Sequence, residues 1–411
     1  MTYKDYDNAL LTQIRNAAET VLSMSETFIF EYIASKVPAE DMKEIEHVYL
    51  TGCGDSYCIG IAAQPCFSNE LSHTGEKYPF LHAEAMRNIE FTRYLNTYSG
   101  WDPEEAKKSL VCAVSITGSP VRPREALARM NELGGKSVAF TDNEASEFAK
   151  IAKYAVRLNV PQNYYKPGIT DEECPGMTSY IAGAYAVMMF GLYMNVCKGY
   201  LTMEEAMEQR QGAIDYAKSF TDDVVEKIDE QAFLLAKKWE KNGFDVMDFV
   251  SEEQEFATAF FGSAKMVESF GAITSNDDAE DWCHISFFNR RPKNMATVLV
   301  ANESSRSFSR DVETVGVMDT IGRPVMVVTD SKIQIFPESV SVFRTPKPKY
   351  RWANALLQHL PIDFIAAYIG IFKKADAYNI KNELQQRDAD CIRFKKSNSD
   401  FFKHLIHIGF G

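Results

Sequence analysis

Three stretches of this sequence place chemically useful side chains at telling spacings. Ser115-Ile-Thr-Gly-Ser119 follows at once on the apolar run Leu110–Val114, and Pro120 to Gly134 then read as a helix. A strand end, small hydroxyls, a glycine and a helix start put free backbone N–H groups at one spot, which suits an anion such as phosphate. Val48-Tyr-Leu-Thr51 runs in the same way into Gly52-Cys-Gly-Asp-Ser56 and a second helix. Two such turns suggest one phosphate held from two sides. The third stretch is Lys265-Met-Val-Glu268, a lysine and a glutamate one helical turn apart, followed sixteen residues later by His284. Taken alone, that pair reads as a solvated i,i+3 ion pair on a surface helix, and His284 as a half-buried histidine beside Trp282.

The elements needed to position these residues follow from the apolar pattern. Residues 1–45 read as helical. The spacing then predicts strands at 48–51, 110–115, 137–141 and 154–158, alternating with helices at 56–69, 121–133 and 177–198. Residues 201–240 are charged and helical. The alternation restarts with strands at 245–250, 296–301, 324–329 and 340–343 and helices at 255–270, 309–321 and 352–374. Short apolar strands separated by helices imply a mostly parallel sheet covered on both faces. The expected fold class is therefore α/β, with a duplicated unit. The expected domains are a helical segment (1–45), a first unit (46–200), a helical connector (201–244), a second unit (245–374) and a polar tail (375–411). Where the first unit has Gly52-Cys-Gly-Asp-Ser56, the second has Ser251-Glu-Glu-Gln254. Two carboxylates at a helix start repel phosphate, so the second unit is not expected to bind phosphate at its matching place.

At 411 residues the chain is too long for one ordinary core. Its net charge of -13 argues against nucleic acid, which needs a basic face. The eight cysteines include no CxxC pair and read as free thiols of a reducing compartment, not disulfides or zinc ligands. The N-terminus has no basic and apolar leader pattern, and the long apolar stretches near 181–196 and 360–372 are interrupted like core helices, not membrane spans. The expected location is the cytoplasm, with no membrane or nucleic-acid partner. His73, His82 and His404 fit no ligand spacing.

With these motifs in view, the chain resembles the tandem sugar isomerase (SIS) family, which includes the isomerase half of glucosamine-6-phosphate synthase and the fructosamine-6-phosphate deglycases. The resemblance covers roughly residues 46–372. The family's CG-x-S is matched by Cys53-Gly54-Asp55-Ser56, and its S-x-S-G-x-T by Ser115-Ile116-Thr117-Gly118-Ser119-Pro120. It implies a phosphate cup of Ser56, Ser115, Thr117, Gly118 and Ser119, with Gly54, Asp55, Thr178 and Ser179 as weaker substrate contacts. An ordinary helix N-cap is an equally good reading of Thr178 and Ser179. Ile116 and Pro120 stand where the family has a glutamine and a threonine, so two polar contacts are missing. Arg122 and Arg124 either complement nearby acids or face the ligand.

The family also places Lys-x-x-Glu on a helix with a histidine sixteen residues after the glutamate. That pattern implies Glu268 as the base moving a proton between C1 and C2, Lys265 on the same face, and His284 assisting ring opening. An ordinary carboxyl titrates near ~4.3, with burial raising it and a neighbouring ammonium opposing that rise, and a histidine titrating near ~6.5 suits proton transfer to the ring oxygen. In the synthase the histidine reaches the neighbouring subunit, so the resemblance implies a homodimer. The synthase's ring-opening lysine has no clean counterpart, with Lys381, Lys395 and Lys396 as stand-ins, and the glutaminase domain is absent. These departures tilt the expectation toward a deglycase acting on a 6-phosphorylated sugar–amine adduct, without metal or organic cofactor. The rival expectation is a non-catalytic sugar-phosphate sensor, which gains from Ile116 and Pro120 and loses from the absence of a DNA-binding region.

Overall fold

The structure is a computed structural model and describes residues 2–68, 81–95, 103–161 and 174–375. Lys381, Lys395, Lys396, Cys391, His73 and His404 lie outside the described residues. In chain order the chain forms α1 (Ala9–Arg15), α2 (Ala17–Thr27), α3 (Phe30–Lys36), α4 (Ala39–Met42), β1 (His47–Thr51), α5 (Asp55–Ser68), β2 (His82–Ala85) and α6 (Asn88–Arg93). It continues with α7 (Pro103–Lys107), β3 (Ser109–Val114), α8 (Val121–Glu132), β4 (Lys136–Thr141), α9 (Glu147–Ile151), β5 (Tyr154–Arg157), α10 (Thr178–Cys197), α11 (Met203–Ser219) and α12 (Asp222–Lys241). The remainder is β6 (Val246–Val250), α13 (Glu253–Phe270), β7 (Ile273–Asp277), α14 (Ala279–His284), β8 (Ala296–Val300), α15 (Phe308–Thr320), β9 (Val325–Thr329), β10 (Ser341–Arg344), α16 (Asn354–Leu357) and α17 (Leu360–Lys373).

The described residues fall into two compact units. One comprises residues 23–161 and 179–211; the other comprises 2–22, 174–178 and 212–375. The expected helical segment 1–45 is thus divided between them. The expected connector 201–244 does not stand apart either: α12 packs along α17 inside the second unit. Its apolar face explains this, because Ile228, Ala232, Phe233, Leu235, Ala236 and Trp239 are all buried.

Each unit holds a five-stranded, wholly parallel sheet. The orders are β2-β1-β3-β4-β5 and β7-β6-β8-β9-β10, so the second repeats the first strand for strand. The central strands β3, β8 and β9 are buried along their whole length, which is why they read as unbroken apolar runs. Tyr49, Val111, Ala126, Leu127, Met130 and Phe148 fill one core of the first unit. Val250, Trp282, Leu299, Val315, Met318 and Val327 fill one core of the second. The edge strands β2 and β7 escape the sequence pattern because they are short, polar and half exposed. The helix expected over 352–374 runs in pieces, a 3-10 turn at Arg351–Ala353 followed by α16 and α17, with Pro361 just inside α17.

The helix α10 and the segment 351–373 are long and apolar enough to cross a membrane, yet 89% of each apolar window is buried in the fold. The seven described cysteines are all free, and burial pushes the Cys66 and Cys112 thiols well above their ordinary range.

Candidate functional site

In a parallel sheet of this order, neighbouring connections leave to opposite faces at the junction of the first and third strands. The crevice beyond their carboxyl ends is the natural ligand site. In the first unit that junction lies between β1 and β3, where Thr51 pairs with Ala113. The two turns singled out by sequence leave from these strand ends. Gly54 takes a left-handed φ of 56°, and Ser56 and Tyr57 turn into α5 on the carbonyls of Cys53 and Gly54. A side chain at Gly52 would collide with Ser56, so the turn closes only around glycine. Gly118 has a φ of 66°, and a Cβ there would strike the Ser146 hydroxyl.

Ser115 is buried, whereas Thr117 and Ser119 are exposed and Ser56 is partly so. Thr117 Oγ1 accepts the Ser119 amide at 3.2 Å, and Asn143 donates to the Thr117 carbonyl at 3.3 Å. The N-cap of α8 is Pro120, with no side-chain cap on the first-turn amides. The first crevice therefore carries two helix starts and exposed hydroxyls, a donor set suited to an oxyanion. Asn88 is a residue that sequence reasoning missed. It is buried, donates to the Gly52 carbonyl at 2.6 Å and accepts from Thr51 Oγ1 at 3.1 Å, and so braces the glycine turn. Arg122 pairs with buried Glu125, which Arg93 also reaches at 3.3 Å, so Arg122 has an acidic partner in the fold.

In the second unit Lys265 and Glu268 are not a solvated surface pair. The Lys265 side chain is 0% exposed and that of Glu268 is 27% exposed, with Nζ to Oε2 at 2.6 Å. Lys265 Nζ also lies 3.4 Å from the Gly176 carbonyl and 4.6 Å from the Phe261 ring centre. A buried ammonium with these neighbours fixes one oxygen of a carboxylate that still meets solvent. His284, by contrast, is 70% exposed and holds Glu280 at 2.9 Å across one turn of α14. It is therefore not half-buried, whereas the Trp282 indole is buried and donates to Asp248 at 3.1 Å.

Thr178, a candidate substrate contact, has a partner within the fold. It is buried, and its amide and hydroxyl both donate to Gln13 Oε1, at 3.0 and 3.2 Å. Ser179 is partly exposed.

The matching crevice of the second unit, between β6 and β8, is filled from within. Glu252 accepts the Ala279 amide at 2.6 Å and the Ser307 hydroxyl at 2.9 Å. Glu255 is held by Arg351 Nε at 3.1 Å and Asn302 at 2.9 Å. Asp311 is 1% exposed; burial and the charges of Glu252 and Glu255 push its pKa up to about 9.

No family model matches the sequence, and no curated protein matches it. Solved structures do match. The C-terminal domain of glucosamine-fructose-6-phosphate aminotransferase from Francisella tularensis superposes with a TM-score of 0.73 at 14% identity, over 91% of this chain and 98% of that one. A protein of Clostridium difficile 630 assigned as a phosphosugar isomerase gives 0.70 at 15% identity, over 97% and 100%. Tagatose-6-phosphate ketose/aldose isomerase from Escherichia coli gives 0.59 at 13% identity, over 90% and 95%. The chain thus has the fold of the tandem sugar isomerase proteins that its motifs resemble.

Proposed function

We propose that this chain is a phosphosugar isomerase-type enzyme acting on a 6-phosphorylated sugar or on its fructosamine-type amine adduct. The observation that carries the reading is Glu268: a carboxylate pinned through one oxygen by a buried lysine, with part of its side chain left to solvent. Such a carboxylate is placed and still reachable, as a proton-shuttling base must be. In this reading Ser56, Ser115, Thr117 and the backbone of Gly118 and Ser119 bind the phosphate, which holds the reacting carbons by a remote contact. Glu268 takes the proton from one of C1 and C2 and returns it to the other, through an enediol for a free sugar. With an amine already on C1, the same shuttle converts the ketoamine to a C1 imine. Water then adds to C1, the amine leaves, and an aldose phosphate remains. Lys265 positions Glu268. His284 assists ring opening, and its exposure suits a residue that serves a partner subunit of a homodimer, as the family resemblance implies.

The second reading is a non-catalytic sugar-phosphate sensor, favoured by Ile116 and Pro120 in the phosphate turn. One experiment separates the two. Hexose, hexosamine and fructosamine-adduct 6-phosphates are screened by thermal shift beside their unphosphorylated forms, since stabilisation follows occupancy. Each binder is then assayed for turnover by the parent and by Glu268→Gln. Phosphate-dependent stabilisation with turnover in the parent, and binding without turnover in Glu268→Gln, supports the enzyme. Binding with no turnover of any ligand in the parent supports the sensor. No phosphate-dependent shift at all overturns both.

A further inference from the structure

The two crevices share strand order, and they also share a backbone detail. Three residues past the end of β1, Gly54 has a φ of 56°; three residues past the end of β6, Glu253 has a φ of 53°. A glutamate in the left-handed region is uncommon and costs energy. The second turn therefore keeps a shape that suits glycine, and the residue before Glu253 puts a carboxylate into the crevice. That carboxylate, Glu252, is treated as a bound oxyanion would be. It takes the Ala279 amide on Oε1 and the Ser307 hydroxyl on Oε2. Ser307 is the N-cap of the thirteen-residue α15, yet its side chain makes no cap bond and turns to Glu252 instead.

Asp311 belongs to the same cradle. Its Oδ2 lies 3.4 Å from Ser307 Oγ, and its buried side chain is hydrogen-bonded to Glu252. A carboxyl held neutral in that position is a hydrogen-bond donor, not a second negative charge. The other charged groups facing it are accounted for: Glu255 is engaged by Arg351 and Asn302. Among the described residues Glu252 makes no ion pair, so neutral donors alone hold its charge.

We propose that the crevice between β6 and β8 is an oxyanion site whose ligand is the chain's own Glu252. Removing this carboxylate opens the crevice to inorganic phosphate. The proposal concerns the second unit and stands whether or not the first crevice binds sugar phosphate. Of the two matching crevices among the described residues, it leaves only the first open to solvent.

The test counts inorganic phosphate bound per chain by isothermal titration calorimetry, for the parent, Glu252→Gly, the double variant Glu252→Ser with Glu253→Gly, and Glu252→Gln. The two opening variants are expected to gain one phosphate per chain over whatever the parent binds. Glu252→Gln, which keeps the bulk of the plug, is expected to gain none. If the opening variants keep the parent's circular dichroism and bind no more phosphate than the parent, the proposal is overturned. A measurement on the parent covers the case in which neither variant folds. An infrared band of a protonated carboxyl should persist at about pH 7, far above the ordinary carboxyl range, and disappear in Asp311→Asn. Its absence from the parent overturns the cradle.

Discussion

The crevice at β1/β3 and the crevice at β6/β8 are built on one plan and filled in opposite ways. The first presents helix starts, exposed Thr117 and Ser119 and partly exposed Ser56 to whatever enters. The second spends the Ala279 amide and the Ser307 hydroxyl on Glu252. The two units share their backbone down to the left-handed residue after the first strand and differ there in two side chains, Cys53 against Glu252 and Gly54 against Glu253. In the proposed function the second unit contributes through α13, where Lys265 holds Glu268.

The largest expected effect tests that division of labour. Glu268→Gln should lower turnover by roughly 10²- to 10⁴-fold, the usual worth of a positioned proton-transfer group. Ligand-induced stabilisation should be kept, because the proposed phosphate contacts belong to the first unit. Steady-state kinetics alongside thermal shift reads both. Loss of ligand binding in Glu268→Gln would break the comparison, since it would make α13 a binding element.

Next come substitutions at the glycine turns of the open crevice. Gly118→Ala adds a methyl group into the Ser146 hydroxyl at a left-handed φ of 66°, so backbone strain and a clash combine. The expected destabilisation is about 2–3 kcal/mol, with phosphate binding lost. Asn88→Ala leaves the buried Gly52 carbonyl and Thr51 hydroxyl without their partner, which costs about 1–3 kcal/mol. Denaturant melts measure both. A Gly118→Ala protein as stable as the parent would show that the second turn is not under the constraint described.

The repeat itself was legible in the sequence because the central strands are buried on both faces and so read as apolar runs bounded by turns. Strands β2 and β7 were not, since His82-Ala-Glu-Ala85 and Ile273-Thr-Ser-Asn-Asp277 lie at sheet edges and carry no such run. The two glycine turns were visible from residue type, because φ near 60° almost demands glycine. Glu253 hid the same conformation behind an unsuitable residue. The acidic start of α13 reads as repelling phosphate; the structure adds that Glu252 there accepts the Ala279 amide and the Ser307 hydroxyl. Residue type also misled at Lys265 and Glu268, where a common surface spacing turns out to hold a buried ammonium. At Thr178 a hydroxyl at a helix start is consumed by Gln13, a partner 165 residues away that no local pattern announces.

The closed crevice should also mark itself in the pH dependence of stability. The Asp311 carboxyl is raised from 3.8 to about 9 in the folded chain. Between those values folding must take up a proton, so this group's contribution falls as pH rises through the window and levels off above about 9. Asp311→Asn keeps a donor toward Glu252 and removes the proton uptake. Relative to the parent it should gain about 1 kcal/mol or more between about pH 5 and about pH 8. Urea midpoints of both proteins across that range measure the difference. Parallel pH curves would mean that Asp311 is charged in the fold and that Glu252 is not cradled by a neutral carboxyl.

The smallest effect is the most direct comparison of the two turns. Gly54→Ala places a Cβ at a φ of 56° with nothing within 4 Å, so only the backbone preference is felt, about 1 kcal/mol against the fold. Glu253→Gly removes the same strain from the second turn. The flexibility of glycine in the unfolded chain takes back part of that gain, which leaves a net stabilisation of at most about 1 kcal/mol. The two changes are mirror images, and their opposite signs are the informative quantity. If Glu253→Gly destabilises as Gly54→Ala does, then the Glu253 side chain contributes more than its backbone strain costs, and the second turn is held by something other than the inherited shape. Opposite signs of similar size would leave the carboxylate of Glu252 as what distinguishes a crevice that is closed from one that is open.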